Sequence, residues 1–271
     1  MTNNILQKIT APDGTTTVYR QYGHGPRLLT VLHSLALDGS WYAPLAEALG
    51  DDYRLLAPDF RGHGQSARGD STPTLALVAQ DIAAMWDAEN VQSSVILGIS
   101  LGGMVAQAVT GSFPDRVDAQ ILMATRGAYD DAATTGTLAR AAEVRAPNGL
   151  EDVGDVTMHR WFGDNSTDAS NPMVLQARTQ FLEAGGNTIA EYFEAMTTVG
   201  DFQLDTPPPT LVVGGDDDRS IPRAFVEQLA ASIPGAELLF AKGGHLVAFE
   251  NPEEVAKTVR PFLDALDCWT N

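Results

Sequence analysis

The residue of this 271-residue chain best placed to act as a nucleophile is Ser100, in Gly98-Ile99-Ser100-Leu101-Gly102-Gly103. The run Ser94-Val95-Ile96-Leu97 before it reads as a buried strand, and Met104-Val105-Ala106-Gln107-Ala108 after it reads as a helix start. A serine lifted out of a tight strand-to-helix turn needs glycine on either side, and the helix N-terminus behind it favours developing negative charge. Such a serine needs a base. Of the five histidines, His24, His33, His63 and His159 precede it or fall outside the expected order. His245, in Gly243-Gly244-His245-Leu246, follows the late strand Leu238–Ala241, where ligand-facing loops of an open sheet gather. An acid that orients the imidazole is expected after the strand Thr210–Val213, where Asp216, Asp217 and Asp218 stand in a row. A serine with a histidine base and a carboxylate to orient it suits acyl transfer through a covalent intermediate.

That chemistry also requires two backbone N–H donors for the oxyanion. One is Leu101, directly after the serine. Leu35, in the loop Leu32-His33-Ser34-Leu35 after an early strand, is the expected second. His33 reads as a brace of that loop. Asp59-Phe60-Arg61-Gly62-His63-Gly64-Gln65-Ser66 reads as a series that ties loops together.

The elements that must hold these residues alternate. Apolar runs at Leu28–His33, Tyr53–Ala57, Ser94–Gly98, Ala119–Ala124, Thr210–Val213 and Leu238–Ala241 lack polar alternation, as strands covered on both faces do. Between them lie helical spacings, such as Leu75, Val78, Ile82, Met85 and Trp86, or Phe225, Leu229 and Ile233. Strands alternating with helices predict a mostly parallel α/β sheet flanked by helices. The start differs: Ile5–Ile9 and Thr16–Tyr22, joined through Pro12-Asp13-Gly14, predict an antiparallel hairpin. From residue 126 to 206 the pattern is wholly helical, over Leu138–Val144, Val156–Phe162, Met173–Leu182 and Ile189–Met196. The expected organisation is a core of residues 1–125 and 207–271 with an all-helical cap, 126–206, inserted between two strands.

Composition limits the partners. The formal net charge is −18, so the phosphate backbone of nucleic acid and an anionic membrane surface are both unfavourable partners. Hydrophobic residues make up 44% of the chain, as in a globular protein. No run of about 18 apolar residues is present. The N-terminus, Met1 to Lys8, lacks the apolar core of a signal peptide, and Cys268 is the sole cysteine, near the C-terminus in an expected frayed position. These features lead to the expectation of a cytoplasmic protein that needs no metal and no cofactor. The oligomeric state is left open.

Taken together, the residues resemble the α/β-hydrolase superfamily across essentially the whole chain, and the expected fold is the α/β-hydrolase fold. The superfamily's Gly-x-x-Asp-x-x-x-Pro pattern matches Gly215…Asp218…Pro222, and this resemblance assigns the acid to Asp218. Within the superfamily the chain is most similar to 3-oxoadipate enol-lactonases, through His33-Ser34-Leu35 and the segment from Arg140 to Arg160-Trp161-Phe162. It departs from them at Ala36-Leu37, where they often carry Gly-Thr, and at Gly200-Asp201, where they tend to carry Arg-Asp.

The expected activity is hydrolysis of a small-molecule carboxylic ester or lactone through Ser100, His245, Asp218 and an acyl-enzyme. Two alternatives remain: the same triad used for carbon–carbon bond hydrolysis or perhydrolysis, and a non-catalytic ligand-binding protein of this fold. Arg160 is a candidate substrate contact, for a carboxylate or simply as a cross-link between helices. Trp161 is expected to line the pocket and Phe162 to pack.

Overall fold

The structure, a computed structural model, describes residues 5–168 and 170–270. Met1–Asn4, part of the polar N-terminal stretch, lie outside the described residues. In chain order the strands are β1 Ile5–Thr10, β2 Thr16–Tyr22, β3 Arg27–Leu32, β4 Tyr53–Asp59, β5 Ser94–Ile99, β6 Val117–Met123, β7 Thr210–Gly215 and β8 Glu237–Ala241. They form one sheet in the order β1-β2-β4-β3-β5-β6-β7-β8. β2 runs antiparallel to both β1 and β4, and every pair from β4 to β8 is parallel.

The helices are α1 Ala43–Leu49, α2 Leu75–Ala88, α3 Leu101–Ser112, α4 Asp131–Val144, α5 Gly149–Phe162, α6 Pro172–Ala184, α7 Gly186–Met196, α8 Arg223–Ser232, α9 Val247–Glu250 and α10 Pro252–Asp264. The central strands are buried along their length because helices cover both faces, and β5 carries no exposed residue. α2 turns Leu75, Val78, Ile82, Met85 and Trp86 inward, as their spacing predicts. The α/β expectation therefore holds strand by strand.

Three local expectations are corrected. β8 was expected to be buried, yet Glu237–Phe240 alternate between exposed and half-buried and only Ala241 is buried, because it is the last strand and only β7 pairs with it. On α8 the buried positions are Val226 and Leu229, whereas Phe225 turns away from the sheet towards a cavity. Cys268 is half-buried in a closing 3-10 turn, Asp267–Thr270, and burial pushes its thiol up.

Between β6 and β7 the described residues form α4 to α7 and short 3-10 turns, without a strand. Side chains tie this helical insertion to the loops that leave β3 and β4. Trp41 Nε1 donates to Gln180 Oε1 at 2.7 Å, and Gln180 Nε2 donates to Asp38 Oδ2 at 2.9 Å. The Tyr192 hydroxyl donates to the Arg61 carbonyl at 3.0 Å.

Candidate active site

The turn from β5 into α3 fixes Ser100. Its backbone sits at φ 56° and ψ −118°, a region that side-chain-bearing residues avoid. The turn closes only because its neighbours lack side chains. A Cβ on Gly98 would lie 2.2 Å from the Gly102 carbonyl oxygen, and one on Gly102 would lie 2.0 Å from the Leu32 carbonyl oxygen. Two hydrogen bonds anchor the turn to β6 and the loop that follows it: Ser100 N–H donates to the Met123 carbonyl at 2.9 Å, and Thr125 Oγ1 donates to the Ser100 carbonyl at 2.8 Å.

The loops after β7 and β8 bring the partners. His245 Nε2 lies 2.9 Å from Ser100 Oγ. His245 Nδ1 lies 2.9 and 3.1 Å from the two carboxylate oxygens of Asp218. The Asp218 carboxylate is fixed in turn by the N–H groups of Ser220 and Ile221, which donate to Oδ1 at 2.7 and 2.9 Å. With Nδ1–H held by the carboxylate, Nε2 is the acceptor that faces the serine hydroxyl. Both the imidazole and the Asp218 carboxylate are 1% exposed, so little solvent competes for these bonds.

Asp216 and Asp217 do not reach the imidazole. Asp216 lies in the turn that leaves β7, and its Oδ1 accepts from Gly243 N–H at 2.8 Å and so tethers the loop that carries His245. Sequence reasoning missed this tie, and it also missed Glu250. Glu250 Oε2 is buried without a hydrogen-bond partner among the described residues, and its carboxyl packs behind Gly244. Burial pushes that carboxyl up, while the Gly244 N–H and the nearby His245 draw it back.

The loop after β3 presents Leu35. A turn over residues 34–37 closes when Leu37 N–H donates to the Ser34 carbonyl, with Ala36 at φ 64°. The N–H of Leu35 has no protein acceptor among the described residues, and the N–H of Leu101 is the first of α3, left over by the helix pattern. His33 braces this loop as expected. Its Nε2 accepts from Phe60 N–H at 2.9 Å, which leaves Nδ1–H to donate to the Ser34 carbonyl at 2.7 Å. Burial pulls its pKa down to about 4, so the ring is neutral at pH 7.

A cavity of about 340 Å³ opens above Ser100 and His245 under the helical insertion. Arg160 and Trp161 both line it, as does the side chain of Leu35. The Trp161 ring stacks on the His245 imidazole, with centroids 6.2 Å apart and planes 22° from parallel. Phe162 is buried in the apolar core, as expected. Two further cations were missed. Arg126 and Arg140 line the same cavity. Arg126 was legible in principle, since it follows β6 at the strand end beside the Ser100 turn, where ligands gather in parallel sheets.

The arrangement of hydroxyl, imidazole and carboxylate matches what acyl transfer requires. A profile described as "Alpha/beta hydrolase family" matches residues 19–258. A pimeloyl-[acyl-carrier protein] methyl ester esterase of Xanthomonas axonopodis pv. citri is 31% identical, over 89% of this chain and 96% of its own. The 3-oxoadipate enol-lactonase 1 of Acinetobacter baylyi is 30% identical, over 86% of this chain and 87% of its own. Among solved structures, a hydrolase from Pseudomonas aeruginosa PA01 superposes with a TM-score of 0.86 at 28% identity, covering 96% of this chain and 98% of its own. By its profile, its relatives and its sheet, this chain belongs to the alpha/beta hydrolase family.

Proposed function

We infer that the chain is a serine hydrolase of carboxylic esters or lactones, with Ser100 as nucleophile, His245 as general base and acid, and Asp218 as the group that orients His245. The observation that carries this reading is the continuous hydrogen-bonded line from Ser100 Oγ through His245 to Asp218, ending at a cavity large enough for a small substrate. Relatives named as an esterase and a lactonase support it.

In this mechanism Ser100 Oγ attacks the acyl carbon while its proton passes to His245 Nε2. Negative charge collects on the former carbonyl oxygen, where the N–H groups of Leu35 and Leu101 stabilise it. The tetrahedral species collapses, and the alkoxide leaves with the proton from Nε2. In a lactone that alkoxide remains attached to the acyl chain. Water then gives a proton to Nε2 and attacks the acyl-enzyme, which releases the acid and restores Ser100. Trp161 closes one side of the imidazole. The insertion, 126–206, serves as a cap over the core formed by 1–125 and 207–271, and so keeps the acyl-enzyme apart from bulk solvent.

Turnover of 4-nitrophenyl acetate should show a burst equal to one nitrophenolate per chain. Ser100→Ala should remove the burst and lower kcat by at least about 10³-fold. Wild-type turnover in that variant would overturn the reading.

A further inference from the structure

The loop that carries His245 is pinned residue by residue. Asn251 Nδ2 donates to the Lys242 carbonyl at 2.9 Å. Gly243 is bonded through both its backbone groups, since its N–H donates to Asp216 Oδ1 at 2.8 Å and its carbonyl accepts from Asp217 N–H at 3.0 Å. After the histidine, α9 is a single turn in which the N–H groups of Phe249 and Glu250 both return to the Leu246 carbonyl, at 2.8 and 2.9 Å. That turn folds the chain back and sets the carboxyl of Glu250 against Gly244, the residue before the imidazole. A Cβ on Gly244 would lie 3.2 Å from Glu250 Oε2 and 3.2 Å from the Trp161 carbonyl oxygen, so the glycine lets both approach closely.

Packing alone does not account for a carboxyl at this place. Glu250 Oε2 is buried and accepts no hydrogen bond among the described residues, and a buried carboxylate oxygen without a donor is costly. Burial pushes the Glu250 carboxyl up, and so do Asp218 and Asp217 on the loop after β7, whereas Gly244 N–H and His245 draw it down. The elements packed against α9 bring Glu47 on α1 and Glu253 on α10, both exposed, the half-buried Glu254 on α10, and the buried Tyr42. The imidazole itself faces Asp218 on Nδ1, while Arg126, Arg140 and Arg160 of the helical insertion line the same cavity and oppose a positive charge there. In acyl transfer His245 gains such a charge each time it takes the Ser100 proton. The ill-compensated Glu250 charge then meets a cation.

We propose that Glu250 is a positioning residue for the reaction at Ser100: from behind Gly244 it holds the loop of His245 and supplies a second negative charge that favours the imidazolium. The proposal rests on the hydrolase reading above for when the imidazolium forms, but not for the effect of Glu250 on the imidazole. Glu250 exchanges no proton. The proton taken from Ser100 stays on Nε2 until the leaving alkoxide receives it. A charge poorly compensated at rest and better compensated in the tetrahedral species lowers the barrier between the two, because only such differences accelerate the chemical step.

Glu250→Gln keeps the shape of the side chain and removes its charge, which disfavours the imidazolium. In protein with isotope-labelled histidine, where His245→Gln identifies the signal, nuclear magnetic resonance reads the pH at which the His245 ring takes up its proton. That midpoint should drop by about half a pH unit or more in Glu250→Gln relative to wild type. The acid limb of kcat/KM for 4-nitrophenyl acetate should move down with it, and the plateau should fall about three- to tenfold, through kcat more than KM. A side chain that only packs against the loop would lower the plateau and leave the midpoint in place. Glu250→Met, a second neutral variant should the first not fold, should give the same drop. An unmoved midpoint in whichever variant folds, or failure of both to fold, overturns the proposal. If the midpoint drops while wild type leaves 4-nitrophenyl acetate intact, the role of Glu250 at the imidazole stands and the hydrolase reading falls. If wild type turns the ester over while neither midpoint nor limb moves, the hydrolase reading stands and the proposal falls.

Discussion

At the scale of single residues, the site depends on strain accepted at Ser100. Its φ of 56° and ψ of −118° are tolerated by glycine but cost a side-chain-bearing residue about 1–3 kcal/mol. Ser100→Gly should therefore unfold at higher urea than wild type, with a gain of about 1 kcal/mol after glycine's own entropic cost, while the proposed turnover of 4-nitrophenyl acetate should be lost. Ser100→Ala retains a Cβ and should show no such gain. Equal stability of the two variants would mean that the turn is relaxed. At this scale Gly98, Ser100, Gly102 and His245 were legible in the sequence, because steric and chemical demands that few other residues meet set them, whereas Asp218 was singled out from three neighbouring carboxylates only through the family pattern Gly215…Asp218…Pro222. Arg126 was harder to read. What marks it out is the absence of a carboxylate partner among the described residues and the rings of Tyr129 and Phe225 against its guanidinium, the latter on α8, about a hundred positions away in the chain, and neither fact is local.

At the scale of elements, the loops leaving β3 and β4 are locked to each other by neutral histidines. His33 accepts from Phe60 N–H and packs against the Phe60 ring, and His63 lies edge-on to Tyr192 on α7 with centroids 4.8 Å apart. Burial pulls His33 down to about 4 and His63 down to about 3, the latter aided by its neighbour His33. The folded rings stay neutral where the unfolded chain, titrating near 6.5, takes up protons. Stability from these groups is thus full above pH 6.5 and falls as the pH drops towards 4. His63→Gln should make urea-derived stability less steep between pH 6 and 4.5, by up to about 1.4 kcal/mol per pH unit for the proton removed. An unchanged slope would show that other groups govern the acid limb. Strand and helix positions followed from hydrophobic periodicity, including the four helices between β6 and β7. The exposure of β8 did not, since an edge strand and a central strand of a parallel sheet differ in their neighbours more than in their composition.

At the scale of the whole molecule, the charge of −18 and the cationic cavity act over different distances. The net charge repels an anion from afar and is screened by salt within a Debye length of about 8–10 Å, whereas buried arginines at contact are screened far less. Raising NaCl from about 10 to about 150 mM should therefore increase kcat/KM for an anionic ester such as 4-nitrophenyl hydrogen adipate by about two- to threefold and leave the neutral 4-nitrophenyl hexanoate nearly unmoved. A fall for the anionic ester would show that attraction by the cavity governs its approach. The sequence announced the charge but not its segregation, because which arginines lack partners depends on pairs as distant as Arg61 and Asp13 or Arg145 and Glu194. The position of the helical insertion carries a last consequence. β6 and β7 are adjacent parallel strands, so the chain leaves the sheet at one strand end and rejoins it on the neighbouring strand. Arg126, Arg140, Arg160 and Trp161 all belong to that excursion, whereas Ser100, Asp218 and His245 lie outside it. Under the proposed function, reactivity and selectivity thus fall in separate stretches of one polypeptide, and exchanging 126–206 between members of the family should change what is recognised while leaving in place what reacts.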